Sequence, residues 1–483
     1  MRKIILVICS LAFLQTTAQT KVTGSESFKA MGLEECIQTA LQNNLLIKQS
    51  QMALEAENVR LSQARTLNLP TVNGFTNLNA NAGRNIDPFS NAIVTRTIGT
   101  NNLGVQASMP LFDGGNNKNT LQRSKLSVEA SLVDVNVQKN NIAMQVAVAY
   151  LNVLSTEDLI EIAQKQIEGT NIQLNRTQKL VKSGTLPESN LFDIDAQLAN
   201  DQLNLVNALT NHESAKLTLR QAMNITDEVP FKTKRESLPS LSIDAYDGKA
   251  NDIYTTALGT LPEIKAGQLR NQIADKSIAI AQSAGLPTVQ LSTSWGTAYS
   301  SVAKNLTQSG TTSNAIPVSA EFQGQTVPFV INFPQAQFNA ENIPYFNQLG
   351  NNQNLNLGVG VRIPIFNGYN AKYQVQGAKI QKLQTELQNE STKLQIRQNI
   401  DQAYINMLNA QQRFNATQLN VLALEKSFKA SESRYNAGSG TFVDYNIAKT
   451  NLDRAKSSLI ISKYDYIFRT KILDFYQNKP LSF

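Results

Sequence analysis

Residues Leu103–Gly115 read LGVQASMPLFDGG and residues Leu357–Tyr369 read LGVGVRIPIFNGY, with every position 254 residues further along the chain. In the first stretch Leu103, Val105, Ala107, Met109 and Leu111 fall on one face, with Gly104, Gln106 and Ser108 on the other. The second is cleaner: Leu355, Leu357, Val359, Val361, Ile363 and Ile365 oppose Asn354, Asn356, Gly358, Gly360 and Arg362. Alternation of period two is the mark of a strand, so strands are expected near 101–112 and 354–366. Leu69-Pro70-Thr71-Val72 and Leu286-Pro287-Thr288-Val289, offset by 217, open partner strands near 70–82 and 287–300. Pro70, Pro110, Pro287 and Pro364 bracket the four, as residues that end a helix or a ladder.

The two offsets differ by 37, which places one insertion between LPTV and the second motif. It lies within Ser300 to Asn354, where Lys304, Glu321 and Glu341 are the only charged residues. A change confined to that place reads as a longer exposed loop at a hairpin tip, since loops tolerate insertion.

Long helices follow the strands. The sevenfold series Val146, Val153, Ile160, Ile167, Leu174, Val181 recurs 254 residues on as Ile400, Met407, Phe414, Val421, Phe428, Tyr435. Earlier in the second copy the stripe moves to Ile380, Leu387 and Leu394. A period of seven held this long imposes left-handed supercoiling. A helix from Asn116 to Lys182 would extend about 100 Å at 1.5 Å per residue, too long for an ordinary globular core. Each half thus runs helix (34–66, 250–283), two strands, long helix (116–182, 370–436) and shorter helix (188–222, 442–476). Gly184 and Gly438 stand where the chain reverses, a place suited to positive φ. The halves span 19–223 and 248–478, joined by a linker over 224–247 and followed by a tail over 479–483.

The N-terminus has a basic start, an apolar run from Ile4 to Leu14 and a small-residue exit at Thr16-Thr17-Ala18, so residues 1–18 read as a secretory signal peptide. Its removal leaves Cys36 as the one cysteine, which forbids an intrachain disulfide. Net charge is +7 and the basic residues are scattered, which argues against nucleic-acid binding. Mean hydropathy of −0.25 excludes a multi-helix inner-membrane protein. His212, the single histidine, occupies a heptad position between Leu205 and Leu219 and reads as a helix contact; no metal site, cofactor motif or catalytic constellation stands out, so no enzyme is expected.

Strands of about 10 residues, apolar on one face and small or polar on the other, fit an outer-membrane barrel wall, as they fit an amphipathic soluble sheet. Four strands cannot close a barrel, and an open edge in lipid leaves backbone groups unpaired. If the strands span a membrane, several chains must share one barrel. Phe112 and Phe366, beside Pro110 and Pro364, then fall where an interfacial aromatic girdle would lie.

Taken together, the matched halves, paired strands, proline-aromatic junctions and heptad helices resemble the TolC family of outer-membrane channel proteins over nearly the whole mature chain. The resemblance implies a mixed α and β membrane protein with two structural repeats. It implies a homotrimer whose twelve strands form one barrel in outer-membrane lipid of a Gram-negative cell, with twelve helical passes forming a periplasmic tunnel. It implies work as the passive exit duct of a tripartite efflux pump or type I secretion system, with a periplasmic adaptor (membrane fusion) protein and an inner-membrane transporter of RND or ABC type. In that assembly the 300–354 loop would stand at the outer mouth. The family's closing pattern maps Tyr435 and Asp444 onto this chain, but Gly440 replaces an arginine, Ile447 an aspartate, and Asn190 the tyrosine's partner aspartate. A hydrogen bond from Tyr435 to Asn190 would be a weaker latch. Asp444 reads either as one member of a carboxylate ring at the tunnel mouth or as a cap of the following helix. The structural alternative for the whole chain is a non-conducting periplasm-spanning coiled-coil spacer or adhesin anchor.

Overall fold

The computed structural model describes residues 29–86, 91–225, 231–234, 246 and 248–479. The expected signal peptide, most of the 224–247 linker and the tail beyond 479 lie outside them. In chain order the elements are β1 (Lys29–Met31), α1 (Leu33–Asn43), α2 (Leu45–Thr66), β2 (Thr71–Asn81), β3 (Arg84–Ile86), β4 (Ile93–Thr95), β5 (Ile98–Asp113), α3 (Asn116–Lys182), α4 (Ser189–Ala222) and β6 (Phe231–Thr233). The second half supplies α5 (Ala250–Thr260), α6 (Pro262–Ser283), β7 (Thr288–Ser300), β8 (Lys304–Phe322), β9 (Gln325–Asn342), α7 (Tyr345–Asn351), β10 (Asn354–Arg362), α8 (Asn370–Asn436) and α9 (Phe442–Tyr476).

Three expectations change. The helix expected over 34–66 breaks at Asn44, whose extended backbone ends α1 while its side chain accepts a hydrogen bond from the Leu46 amide at the start of α2. The helix expected over 250–283 breaks at Leu261, held extended (ψ 132°) by Pro262 behind it, and Pro262 is tolerated in the first turn of α6. The segment 300–354 is not an irregular loop: β8 and β9 form a long antiparallel hairpin closed by Gln323 and Gly324, both at positive φ (52° and 74°), the geometry of a two-residue turn.

Two compact units emerge, and they do not follow the sequence halves. One comprises Met1–Lys48, Gln138–Thr260 and Ile396–Phe483; the other comprises Gln49–Val137 and Leu261–Gln395. Each draws on both halves because α3 and α8, at 67 residues apiece, contribute to both.

In the first unit the core gathers Cys36, Ala40 and Ile47 with Val146, Tyr150, Val153 and Leu154 of α3, Leu219 and Met223 beside α4, and Ile467 of α9. Tyr150 is fully buried and its hydroxyl donates to the Lys234 carbonyl at 2.6 Å, beside the parallel pair β1–β6. A second cluster joins Val421 of α8 to Leu452 and Ala455 of α9, flanked by Phe428. In the second unit Ala130 and Val133 of α3 pack on Ala266 and Leu269 of α6, and the Asp134 carboxylate accepts two hydrogen bonds from Arg270, at 2.7 and 2.8 Å. Its main sheet has the order β10-β7-β5-β2, all antiparallel.

Candidate functional site

Two places carry functional geometry: the sheet of the second unit, and the ends of the helix pairs in the first. Registers align the apolar residues across all four strands. Val359 faces Leu291, Leu291 faces Met109, Val105 faces Trp295, and Val72 faces Ala107. One face is therefore largely apolar, interrupted by Thr76, Asn101, Thr293 and Thr297, and its edge residues Leu355, Leu357, Val359 and Val361 are 61–74% exposed in the single chain. Along Gln106, Ser108, Ser292, Ser294 and Asn356 the sheet borders a polar hollow of about 310 Å³. Gly104 is required here: a Cβ would stand 2.6 Å from the Trp295 carbonyl oxygen and 3.0 Å from the Phe75 ring. Within the chain β2 and β10 are each paired on one side only.

The repeated motifs leave the sheet differently. β5 continues past Pro110 to Asp113, with a bulge between Pro110 and Phe112 that lets Phe112 pair with Val289. β10, expected to reach 366, stops at Arg362, whose partner Thr288 is the first residue of β7; beyond it no strand among the described residues remains to pair with. Pro364 and Phe366 thus lie in the connection to α8, where Phe366 is 75% exposed and meets Tyr369 edge-on at 5.5 Å. Both exits turn on consecutive residues at positive φ, Gly114 and Gly115 in one copy, Gly368 and Tyr369 in the other. Asp113 accepts hydrogen bonds from the Gly115 and Asn117 amides and so opens α3.

At the other site, Gly184 and Gly438 both adopt φ 74° in the turns from α3 to α4 and from α8 to α9. Tyr435 does not bond Asn190. Its ring stacks on Tyr445 (centroids 5.3 Å apart) and meets Phe442 edge-on, which leaves its buried hydroxyl without a partner. Burial, with Glu432 and Asp453 nearby, pushes the Tyr445 phenol up to about 12. Thr441, not Asp444, is the helix cap: its hydroxyl accepts from the Asp444 amide at 3.1 Å and donates to the Asp444 carboxylate at 2.7 Å. Asp444 itself is exposed in the first turn of α9.

Sequence reasoning missed the strongest electrostatic feature nearby. Lys449 of α9 and Asp201 of α4, 7% and 2% exposed, pair at 3.2 Å. Lys449 also reaches Asp453 at 3.1 Å, while Asp201 accepts from Thr170 of α3 and from Gln197. Burial raises the Asp453 carboxyl above its usual range, opposed by Lys449. Asp201 interrupts a sevenfold line of small or apolar residues, Ile194, Ala208, Ala215 and Ala222, and that lone charge in a seam was the available signal. Arg176 of α3 also bonds Asn436 at the end of α8, to both its side chain and its carbonyl. Four buried polar groups here lack partners: the Tyr435 and Thr177 hydroxyls, the Gln173 amide nitrogen and the Asn446 carbonyl oxygen. His212 packs against α3, its Nδ1 3.1 Å from the Thr156 hydroxyl.

A four-stranded sheet with a largely apolar face, joined to two helices of 67 residues, is the mixed α and β architecture of a channel protein. The profile of the outer membrane efflux protein family matches residues 36–224 and 335–469, and the chain belongs to that family. It is similar to the outer membrane efflux protein BepC of Brucella suis, 20% identical over 429 residues that cover 89% of this chain and 81% of that one. The outer membrane protein TolC of Salmonella enteritidis is 23% identical over 446 residues, 91% and 80% of the two chains. The fold is that of the CmeC outer membrane channel of Campylobacter jejuni, with a TM-score of 0.70 and 17% identity over 93% of this chain and 87% of that one. The protein is an outer-membrane exit duct for efflux in a Gram-negative cell, and its relatives are channels.

Proposed function

We propose that three copies of this chain close one twelve-stranded barrel in the outer membrane and continue into the periplasm as a helical tunnel. The observation that carries this reading is a pair of open sheet edges flanked by bare apolar helix stripes. α2 enters the edge strand β2 and exposes Met52 and Val59, at 65% and 61%. α8 leaves the region of the other edge strand and exposes Ile380, Leu387 and Leu394, at 61%, 66% and 58%. Both stripes repeat every seven residues, as coiled-coil seams do. Joining β2 of one copy to β10 of the next brings the stripes together and leaves no strand edge in lipid. In that assembly 19–223 and 248–478 are the two repeats around the linker 224–247, and Pro110, Phe112, Pro364 and Phe366 mark the membrane boundary.

The duct is passive and is gated where α3 turns into α4 and α8 into α9. Asp444 of three copies forms a carboxylate ring there, and the Asp201–Lys449 pair, with Arg176 on Asn436, takes the place of the missing family latch. Energy and cargo choice come from an inner-membrane transporter of RND or ABC type through a periplasmic adaptor, in drug efflux or type I secretion. Purified protein in planar bilayers should conduct ions steadily; a protein that seals the bilayer and passes no current would instead be a spacer.

A further inference from the structure

The hairpin β8–β9 stands where the first half has only the short hairpin β3–β4, and neither its anchoring nor its surface suits a passive loop. Its root is clamped. Gln348, 2% exposed, accepts from the Ser300 amide and donates to the carbonyls of Ser300 and Ile343. Thr297 donates to the Leu349 carbonyl at 2.7 Å, and the Tyr345 hydroxyl accepts from Asn101 at 2.7 Å while its ring packs on Tyr299.

Cross-strand pairing sorts the distal part of the hairpin into two faces. Ile316 opposes Ile331, Val318 opposes Phe329, Asn314 opposes Phe333 and Ala320 opposes Val327, all on one side. The other side carries Glu321, Ser319, Ser313, Thr326 and Asn332 among prolines, with Val330 as its one large apolar residue. Ile316, Val327, Phe329 and Phe333 are 43–51% exposed, a contiguous apolar patch of the kind that marks an interface.

We infer that this face, built on Ile316, Val318, Val327, Phe329, Ile331 and Phe333, packs against the hairpins of neighbouring copies of the same chain. The inference rests on the shared barrel proposed above. The hairpin rises from β7 and returns to β10, the edge strand that a neighbouring copy must cover, so its root stands beside the seam between copies. From Asn305 to Ala320 and from Phe322 to Ala340 there is no charge that could select a foreign partner, whereas a face that is apolar apart from Asn314 complements itself. Pro317, Pro328 and Pro334 lack the amide hydrogen needed for strand addition, so contact runs through the face rather than the edges.

The test uses single cysteines in the full chain. The native Cys36 is buried and does not compete. In cells treated with a bifunctional maleimide, Phe329→Cys and Val327→Cys should each give bands of two and three chain masses, while Ser319→Cys on the opposite side stays at one. Deletion of 304–342 should leave the multi-chain assembly intact and raise its conductance. Cysteines at 327 and 329 that react with a membrane-impermeant maleimide but join no second copy, or that join a different protein, would overturn the inference while leaving the duct reading in place. A native protein of one chain mass would remove both.

Discussion

Two stretches of α8 use the same apolar chemistry and meet opposite fates. Ile400 and Met407 are fully buried and Val421, packed on Leu452 and Ala455 of α9, nearly so; Ile380, Leu387 and Leu394 stand more than half exposed. Neither stretch has a stronger helical pattern than the other. Burying a leucine or isoleucine contributes about 1.5 to 3 kcal/mol, so the bare stripe is stabilisation withheld until another surface arrives. In the proposed assembly the chain completes one seam by itself and leaves the other to a neighbour.

That contrast can be broken from either side. The largest effect is expected at the buried pair: Asp201→Ala removes the more buried of the two carboxylates that hold Lys449, leaving Asp453 alone, and should cost about 3 to 5 kcal/mol in chemical denaturation. Replacing both partners by apolar residues should cost far less. Met407→Ala should follow at about 2 to 5 kcal/mol, from lost burial and the cavity left behind. Leu387→Lys with Leu394→Lys should spare the fold of the chain, measured by circular dichroism, yet abolish its assembly. If the double lysine variant assembles normally, the bare stripe is not a seam.

Smaller effects sharpen the helix-turn region. Thr441→Ala removes the cap of α9 and should cost about 1 kcal/mol. Asp444→Asn should lower cation selectivity and block by multivalent cations in single-channel records; unchanged selectivity would leave Asp444 with its hydrogen bond to Thr441 alone. The least effect is expected at His212. Burial first, then Lys216, lowers its pKa from the usual 6.5, against the pull of Glu157 and Glu213. The folded chain thus prefers the neutral ring, so its contribution is complete above 6.5 and fades as pH falls below it. His212→Gln should flatten that part of a stability-pH curve.

Much of this was legible in the sequence, because long periods average over local noise. The residues that bound α3 and α8 follow from the sevenfold series and the glycines behind it, and the alternation over 354–362 identifies the face of β10. Leu261-Pro262 signalled a helix break that the surrounding apolar pattern masked. The β8–β9 hairpin was hidden for a different reason: its counterpart β3–β4 has strands of only three residues, and its Asn, Gln, Ser and Thr residues look like loop while Ile316, Val318, Phe329 and Ile331 alternate. The end of β10 at Arg362 could not be read at all, since strand length there is set by where β7 begins. Tyr435 illustrates the same limit: its partner is chosen by the packing of Phe442 and Tyr445, not by its own position in a pattern.

In the proposed assembly the open sheet edges and bare stripes of one chain are completed by two others. Native mass measurement of the detergent-extracted protein tests it most directly. Three chain masses in one particle, reduced to one by the Leu387→Lys and Leu394→Lys pair, is the predicted result. A stable, folded particle of a single chain mass would contradict it.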